Sequence, residues 1–123
     1  MPQPKLDNYL RTYRKSCGLS QREMAFLLGC QSGAKVSRYE HSKRLPPLET
    51  IFAYEVVLGI PAAELFAGVQ EQAERKARHR VRLLARRLAR KADSPVLTRK
   101  REFLDKVAKG RSEELRYESV PEP

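Results

Sequence analysis

The sequence holds only two cysteines, two histidines and six glycines in 123 residues, and each scarcity argues against a class of function. Cys17 and Cys30 are separated by twelve intervening residues, without a Cys-x-x-Cys pair or a Cys/His cluster, so neither a disulfide framework nor a zinc knuckle is indicated. Both are expected to be small buried hydrophobes in a reducing compartment. His41 and His79 have no partner arrangement for nucleophilic catalysis and no spaced ligand set, and no Gly-rich phosphate loop occurs. Catalysis, a metal site and a cofactor are therefore not expected. Long apolar runs are missing too. The most apolar stretch, VVLGIPAA, is far shorter than the ~20 residues of a spanning helix, and the start MPQPKLDNYLR has no apolar signal region. A cytoplasmic protein with no membrane partner is expected. The length suits one small domain with an appendage, or two very small domains sharing a linker, rather than a large multi-domain enzyme.

What is abundant is positive charge. Lys and Arg number 25 against 15 Asp and Glu, a net +10, which points to a polyanionic partner. The excess is uneven: residues 1–68 carry +3 and residues 69–123 carry +7. The chain is thus expected to divide into a nearly balanced front part, 1–68, and a basic helical extension, 69–123.

In the front part, Leu6, Leu10, Tyr13 and Cys17 recur at steps of four, three and four, which predicts a helix over about 5–16. Gly18 should end it. In LSQREMAFLLG, Ser20 and Glu23 form a capping box, and Leu19 and Met24 a hydrophobic staple. Gly29 closes this second helix. Ser32 suits the N-cap of a third, GAKVSRYE, with Val36 and Tyr39 on one side. Pro46 and Pro47 belong to the following loop. Ile51, Phe52 and Leu58 mark a fourth helix from Leu48 to Gly59, and Pro61 opens a short fifth, PAAELFA, ended by Gly68. Leu10, Met24, Leu27, Val36, Tyr39, Ile51, Phe52 and Leu65 should supply an internal core, giving an all-α, five-helix bundle. Two short helices joined by a tight turn and preceded by another helix make a helix-turn-helix arrangement.

The ordered set LSQREMAFLLG, VSRYE, KRLPPLET and LGIPAAELF resembles the phage-repressor and Cro-type helix-turn-helix family, also called XRE-like, over residues 6–66. The resemblance implies a bundle whose second and third helices form the DNA-reading unit. Two departures stand out. The turn GCQSGAKVS is one residue longer than the family's usual G-x-S-x-x-x-[VI]-S, so the register of base-reading residues is anchored from Val36 onward. Glu55 stands where the family usually buries a small apolar residue, which calls for a rotated helix or an Arg partner.

The same resemblance assigns roles. Val36 and Tyr39 anchor the third helix, leaving Ala34, Lys35, Ser37 and Arg38 as base-reading candidates, with Lys35 equally suited to hold a phosphate. Arg38 can meet guanine O6 and N7, unless it pairs with Glu40 or Glu55, and Ala34 can meet a thymine methyl. Gln21, Ser32, Lys43 and Arg44 become phosphate contacts. Arg14 and Glu40 occupy positions where relatives often tie helices one and three together.

From Arg75 to Lys91 there are nine basic residues and no acidic one. Ala77, Val81, Leu84 and Leu88 predict an amphipathic helix, broken at Asp93-Ser94-Pro95, and Leu97, Phe103, Leu104 and Val107 mark another over about 96–109. The stripe has three readings: packing on 96–109 as a hairpin, packing on a second subunit, or no partner. In each, the positive face attracts phosphate. ESVPEP reads as a frayed tail. The combined expectation is sequence-specific binding of double-stranded DNA by a homodimer that regulates transcription, with repression as the default. Two other readings stay open: an antitoxin-type protein whose extension holds a protein partner, and non-specific nucleic-acid binding, RNA included.

Overall fold

Leu10, Met24, Val36, Tyr54 and Leu65 have no exposed surface. Each comes from a different one of the first five helices, α1 (Leu10–Ser16), α2 (Gln21–Leu28), α3 (Gly33–Glu40), α4 (Leu48–Leu58) and α5 (Ala62–Leu65). The structure, a computed structural model, describes residues 5–110, and all its regular elements there are helices. Two more follow, α6 (Ala67–Ala89) and α7 (Pro95–Lys109). The chain divides into two compact units between Gln72 and Ala73, within α6; the sequence-based boundary after Gly68 also falls within this helix. The tail read as frayed lies outside the described residues.

Local chemistry explains α2 and the turn after it. The Glu23 N–H donates to Ser20 Oγ at 3.0 Å, and the Ser20 N–H donates to Glu23 Oε1 at 2.9 Å. These two bonds satisfy donors that no preceding turn can reach. The Ser20 backbone bond, then the hydroxyl bond, holds the Glu23 carboxyl below its ordinary value. Gly29 ends α2 at φ +73°, a left-handed conformation open to glycine without steric cost. Met24 is buried and Leu19 packs beside it.

The first helix begins later than its periodicity predicts. Asn8 Oδ1 accepts the Leu10 N–H at 3.1 Å, while Asn8 Nδ2 donates to the Tyr39 carbonyl at 3.0 Å and to Ser42 Oγ at 3.2 Å. Residues ahead of it stay non-helical because their carbonyls serve α6: Leu6 O accepts from Gly68 N–H at 2.8 Å and Asp7 O from Val69 N–H at 3.3 Å. Gly68 therefore does not end α5; it lies in the first turn of α6, where a Cβ would collide with the Leu6 backbone. Leu6 and Cys17, expected on the buried face of α1, are exposed, because one precedes the helix and the other caps its end. Cys30 is half-buried against the core.

In α4 the core residue is Tyr54, not Phe52, which is 54% exposed. At 100° per residue Ile51, Tyr54 and Leu58 share one face, and Leu48, Phe52 and Val56 share another. Both faces are apolar, so periodicity alone could not choose. Leu27, also expected inside, is 47% exposed. Glu55 takes neither expected course: its Oε1 accepts the Ala62 N–H at 2.5 Å, capping α5, whose N-cap Pro61 has no side-chain acceptor.

In the second unit, α6 and α7 form a hairpin. Leu88, Leu97 and Leu104 are buried, with Val81 and Ala85 against them. Ser94 Oγ caps α7 by accepting the Leu97 N–H at 3.1 Å. Of the expected stripe, Val81 and Leu88 face inward, whereas Ala77 and Leu84 are exposed, as is Phe103 on α7. The inward line of α6 is Arg78, Val81, Ala85 and Leu88. It is rotated from the expected one because Arg78 supplies hydrogen bonds across the hairpin. Arg78 Nη1 donates to the Val107 carbonyl at 3.1 Å and Nη2 to the Gly110 carbonyl at 3.3 Å.

Candidate nucleic-acid interface

The surface of α3 is set from behind by a buried ion pair. Glu40 Oε2 accepts Arg14 Nε at 2.5 Å, and Glu40 Oε1 accepts Arg14 Nη2 at 3.0 Å and Gln21 Nε2 at 3.1 Å. Arg14 Nη1 donates to the Leu19 carbonyl at 2.8 Å. The Arg14 and Glu40 side chains are 8% and 1% exposed. Both charges are taken from water, yet neither is left unpaired, the condition under which burial is tolerable. The Glu40 hydrogen bond raises Arg14 above its ordinary value against an opposing desolvation. One carboxylate thus ties α1, α2 and α3 together.

With Val36 and Tyr39 buried, the opposite line of α3 is Ala34 and Arg38, one turn apart and both exposed. Lys35 and Ser37 flank this line and are half-buried. Ser37 Oγ lies 3.4 Å from His41 Nδ1, which is 2.8 Å from the Ser37 carbonyl. Arg38 makes no ion pair among the described residues. Its two sequence-predicted partners are committed elsewhere, Glu40 to Arg14 and Gln21, Glu55 to the start of α5.

The expected phosphate contacts are less uniform. Ser32 is the exposed N-cap of α3, and its side chain makes no capping bond. Lys43 and Arg44 are exposed in the loop after α3. That loop is held: the Lys43 N–H donates to the Arg38 carbonyl at 2.9 Å, and Ser42 sits at φ +59° with its hydroxyl accepting from Asn8. A serine in the left-handed region is uncommon, so the Asn8 bond matters to the path of the loop. Gln21 differs, since its side chain is drawn inward to Glu40; its backbone N–H, in the first turn of α2, faces the helix N-terminus that favours anions.

Residues 10–65 match the family model described as Helix-turn-helix. This segment belongs to the XRE-type helix-turn-helix family. Comparison with curated proteins and with solved structures returned no match. The helix-turn-helix segment covers α1 to α5, with α2, the Gly29–Ser32 turn and α3 as its DNA-binding unit. It makes this a DNA-binding protein of the transcription-regulating type. His41, weighed from sequence for catalysis and for metal ligation, continues the outer line of α3 two turns beyond Ala34; the seven-residue spacing was the available clue. Among the described residues no group of three or more His, Cys, Asp or Glu is placed to hold a metal ion, and no helix is long and apolar enough to cross a membrane.

Proposed function

We propose that the protein recognises a specific duplex DNA sequence as a homodimer and represses transcription by occupying that site. The observation that carries this reading is the unpaired Arg38 beside Ala34 on the outer line of a helix braced by Arg14 and Glu40. An Arg fork without an internal partner can meet guanine O6 and N7 at no cost in broken ion pairs, while Ala34 leaves room for a thymine methyl. Lys35 and Ser37 read the flanking base edges. Ser32, Lys43, Arg44 and the Gln21 N–H hold the phosphates that fix register. Steric exclusion of polymerase needs no further residue.

The homodimer is supported by α4. Leu48, Phe52 and Val56 form an exposed apolar line, with Val56 at 82% exposure. A helix apolar on both faces is one that ends up covered. Around a two-fold axis the line meets its own copy, and it contains no charge to repel it. The strongly basic hairpin would repel its copy. Residues 1–68 and 69–123 act in this proposal as a DNA-binding domain and a separate basic extension.

Selection from a pool of randomised duplexes, followed by footprinting, tests the reading. The expected result is a two-fold-related pair of half-sites about 10–10.5 base pairs apart. A single half-site occupied by one chain would exclude the dimer, and no enrichment of any sequence would exclude specific recognition.

A further inference from the structure

We infer that the outer face of α6 in the second unit is a separate binding surface for the phosphodiester backbone of duplex nucleic acid, independent of base sequence and of α3. The inference starts from how the hairpin uses the basic run. Arg78 is withdrawn to the end of α7. Lys76, Arg80, Arg87 and Arg90 are exposed and form no ion pair among the described residues. At 100° per residue Lys76, Arg80 and Arg87 share the side of α6 opposite Val81, Ala85 and Leu88, with Arg86 at its edge, and Arg90 follows directly after the helix ends. From Lys76 to Arg87 the line is about 17 Å long at 1.5 Å per residue. No acidic residue occurs anywhere between Arg75 and Lys91. A duplex carries one negative charge per about 1.7 Å of axis, so a row of unpaired cations of this length lies against many phosphates and releases their counterions.

Two other polyanions fit less well. A helix on an anionic membrane buries a continuous apolar face in the lipid, but Val81, Ala85 and Leu88 of α6 pack with Leu97 and Leu104 of α7, and the exposed Leu83 and Leu84 are two residues, not a face. Single strands are held by stacking their bases on aromatic side chains, and α6 contains no Phe, Tyr or Trp. What remains is charge in a regular row, which suits a backbone and reads no base.

The test uses the full chain and a random-sequence duplex, with affinity measured across a salt series. In one variant Lys76, Arg80, Arg87 and Arg90 are all changed to Gln; in a milder one only Arg80 and Arg87 are. The expected result is a shallower salt dependence, by up to about 3.6 in slope for four lost contacts and about 1.8 for two, with affinity at low salt reduced more than tenfold in the first. Helical content and melting temperature should stay at wild-type values, because none of the four side chains packs in the hairpin. Arg38→Ala should keep the wild-type slope on this random duplex, so failure of the α3 reading and failure of this one are told apart. Unchanged slopes in both folded variants would overturn the inference, the milder variant deciding if the fourfold one does not fold. Loss of binding to phosphatidylserine vesicles with none to duplex would overturn it in favour of a membrane.

Discussion

Arg78 and Arg101 close each other's helices. Arg78, on α6, donates to the Val107 and Gly110 carbonyls at the end of α7; Arg101, on α7, donates to the Leu88 and Lys91 carbonyls at the end of α6, at 2.8 and 2.9 Å. The last carbonyls of a helix have no partner within it, and a guanidinium there also meets the negative end of the helix dipole. With only Leu88, Leu97 and Leu104 fully inside, the hairpin depends on these caps. Each also makes an ion pair, Arg101 with Asp93 and Arg78 with Glu74. Arg101→Ala should destabilise the hairpin by about 1–3 kcal/mol. Hydrogen exchange should accelerate at the amides of residues 88–109 and stay unchanged in residues 10–65.

Breaking the Arg14–Glu40 pair should cost more, because both partners are buried. Glu40→Ala removes the carboxylate that accepts from Arg14 Nε and Nη2 and from Gln21 Nε2, leaving a buried cation unpaired, and should lower stability by about 3–5 kcal/mol in urea denaturation. Arg14→Lys should not restore the pair, since a single ammonium cannot reproduce the two-pronged geometry while also reaching the Leu19 carbonyl. A double-mutant cycle should return a coupling well above 1 kcal/mol.

Tyr54 offers a pH test. Its ring is fully buried, and its hydroxyl has no hydrogen-bond partner among the described residues. Burial first, then the nearby Glu40 carboxylate, pushes its ionisation well above the ordinary value near 10. For an acid raised on folding, the stabilising contribution is complete below the unfolded value and is lost as pH rises from there through the folded one. Wild type should therefore lose stability above about pH 10 relative to Tyr54→Phe. Near neutral pH the Phe variant should be at least as stable, since an unsatisfied buried hydroxyl is removed. Tyrosinate absorbance followed alongside unfolding decides this: ionisation of Tyr54 in the folded chain near pH 10 would contradict it.

Arg38→Ala should weaken the selected site by about 1–3 kcal/mol and leave random duplex nearly unaffected. Equal losses on both, measured at one salt concentration, would place Arg38 on the backbone instead.

Val56→Glu should weaken self-association by at least about tenfold, read by sedimentation, by putting a charge on the two-fold axis of the proposed α4 interface. Because Val56 is exposed in the single chain, its melting temperature at low concentration should not change. A dimer that persists would move the interface off α4.

Much of the helix-turn-helix was legible because its determinants are local. Ser20 with Glu23, Gly29, and the Val36–Tyr39 pair act within one or two turns, so a reader of residues 19–40 sees the same chemistry the chain uses. The candidate site was legible for the same reason: once Val36 and Tyr39 are inside, helical geometry sends Ala34 and Arg38 outward. The commitment of Gln21 to Glu40 was not legible, since that bond joins positions nineteen residues apart.

The remaining decisions belong to tertiary structure. By themselves, the residues determined that there would be a short-helix bundle containing a helix-turn-helix, and a basic amphipathic helix after it. Which face of α4 turns inward was undecided, because Phe52 and Tyr54 offer comparable apolar area and only the cavity left by Leu10, Met24, Val36 and Leu65 selects between them. Glycine at 68 looked like a helix end and serves instead to let the Leu6 carbonyl approach a helix start. Arg78 belonged to a run of like charges until α7 presented carbonyls for it to cap. In each case two segments distant in the chain must meet before either side chain has a preferred state, and periodicity, being a property of one segment, carries no record of the other.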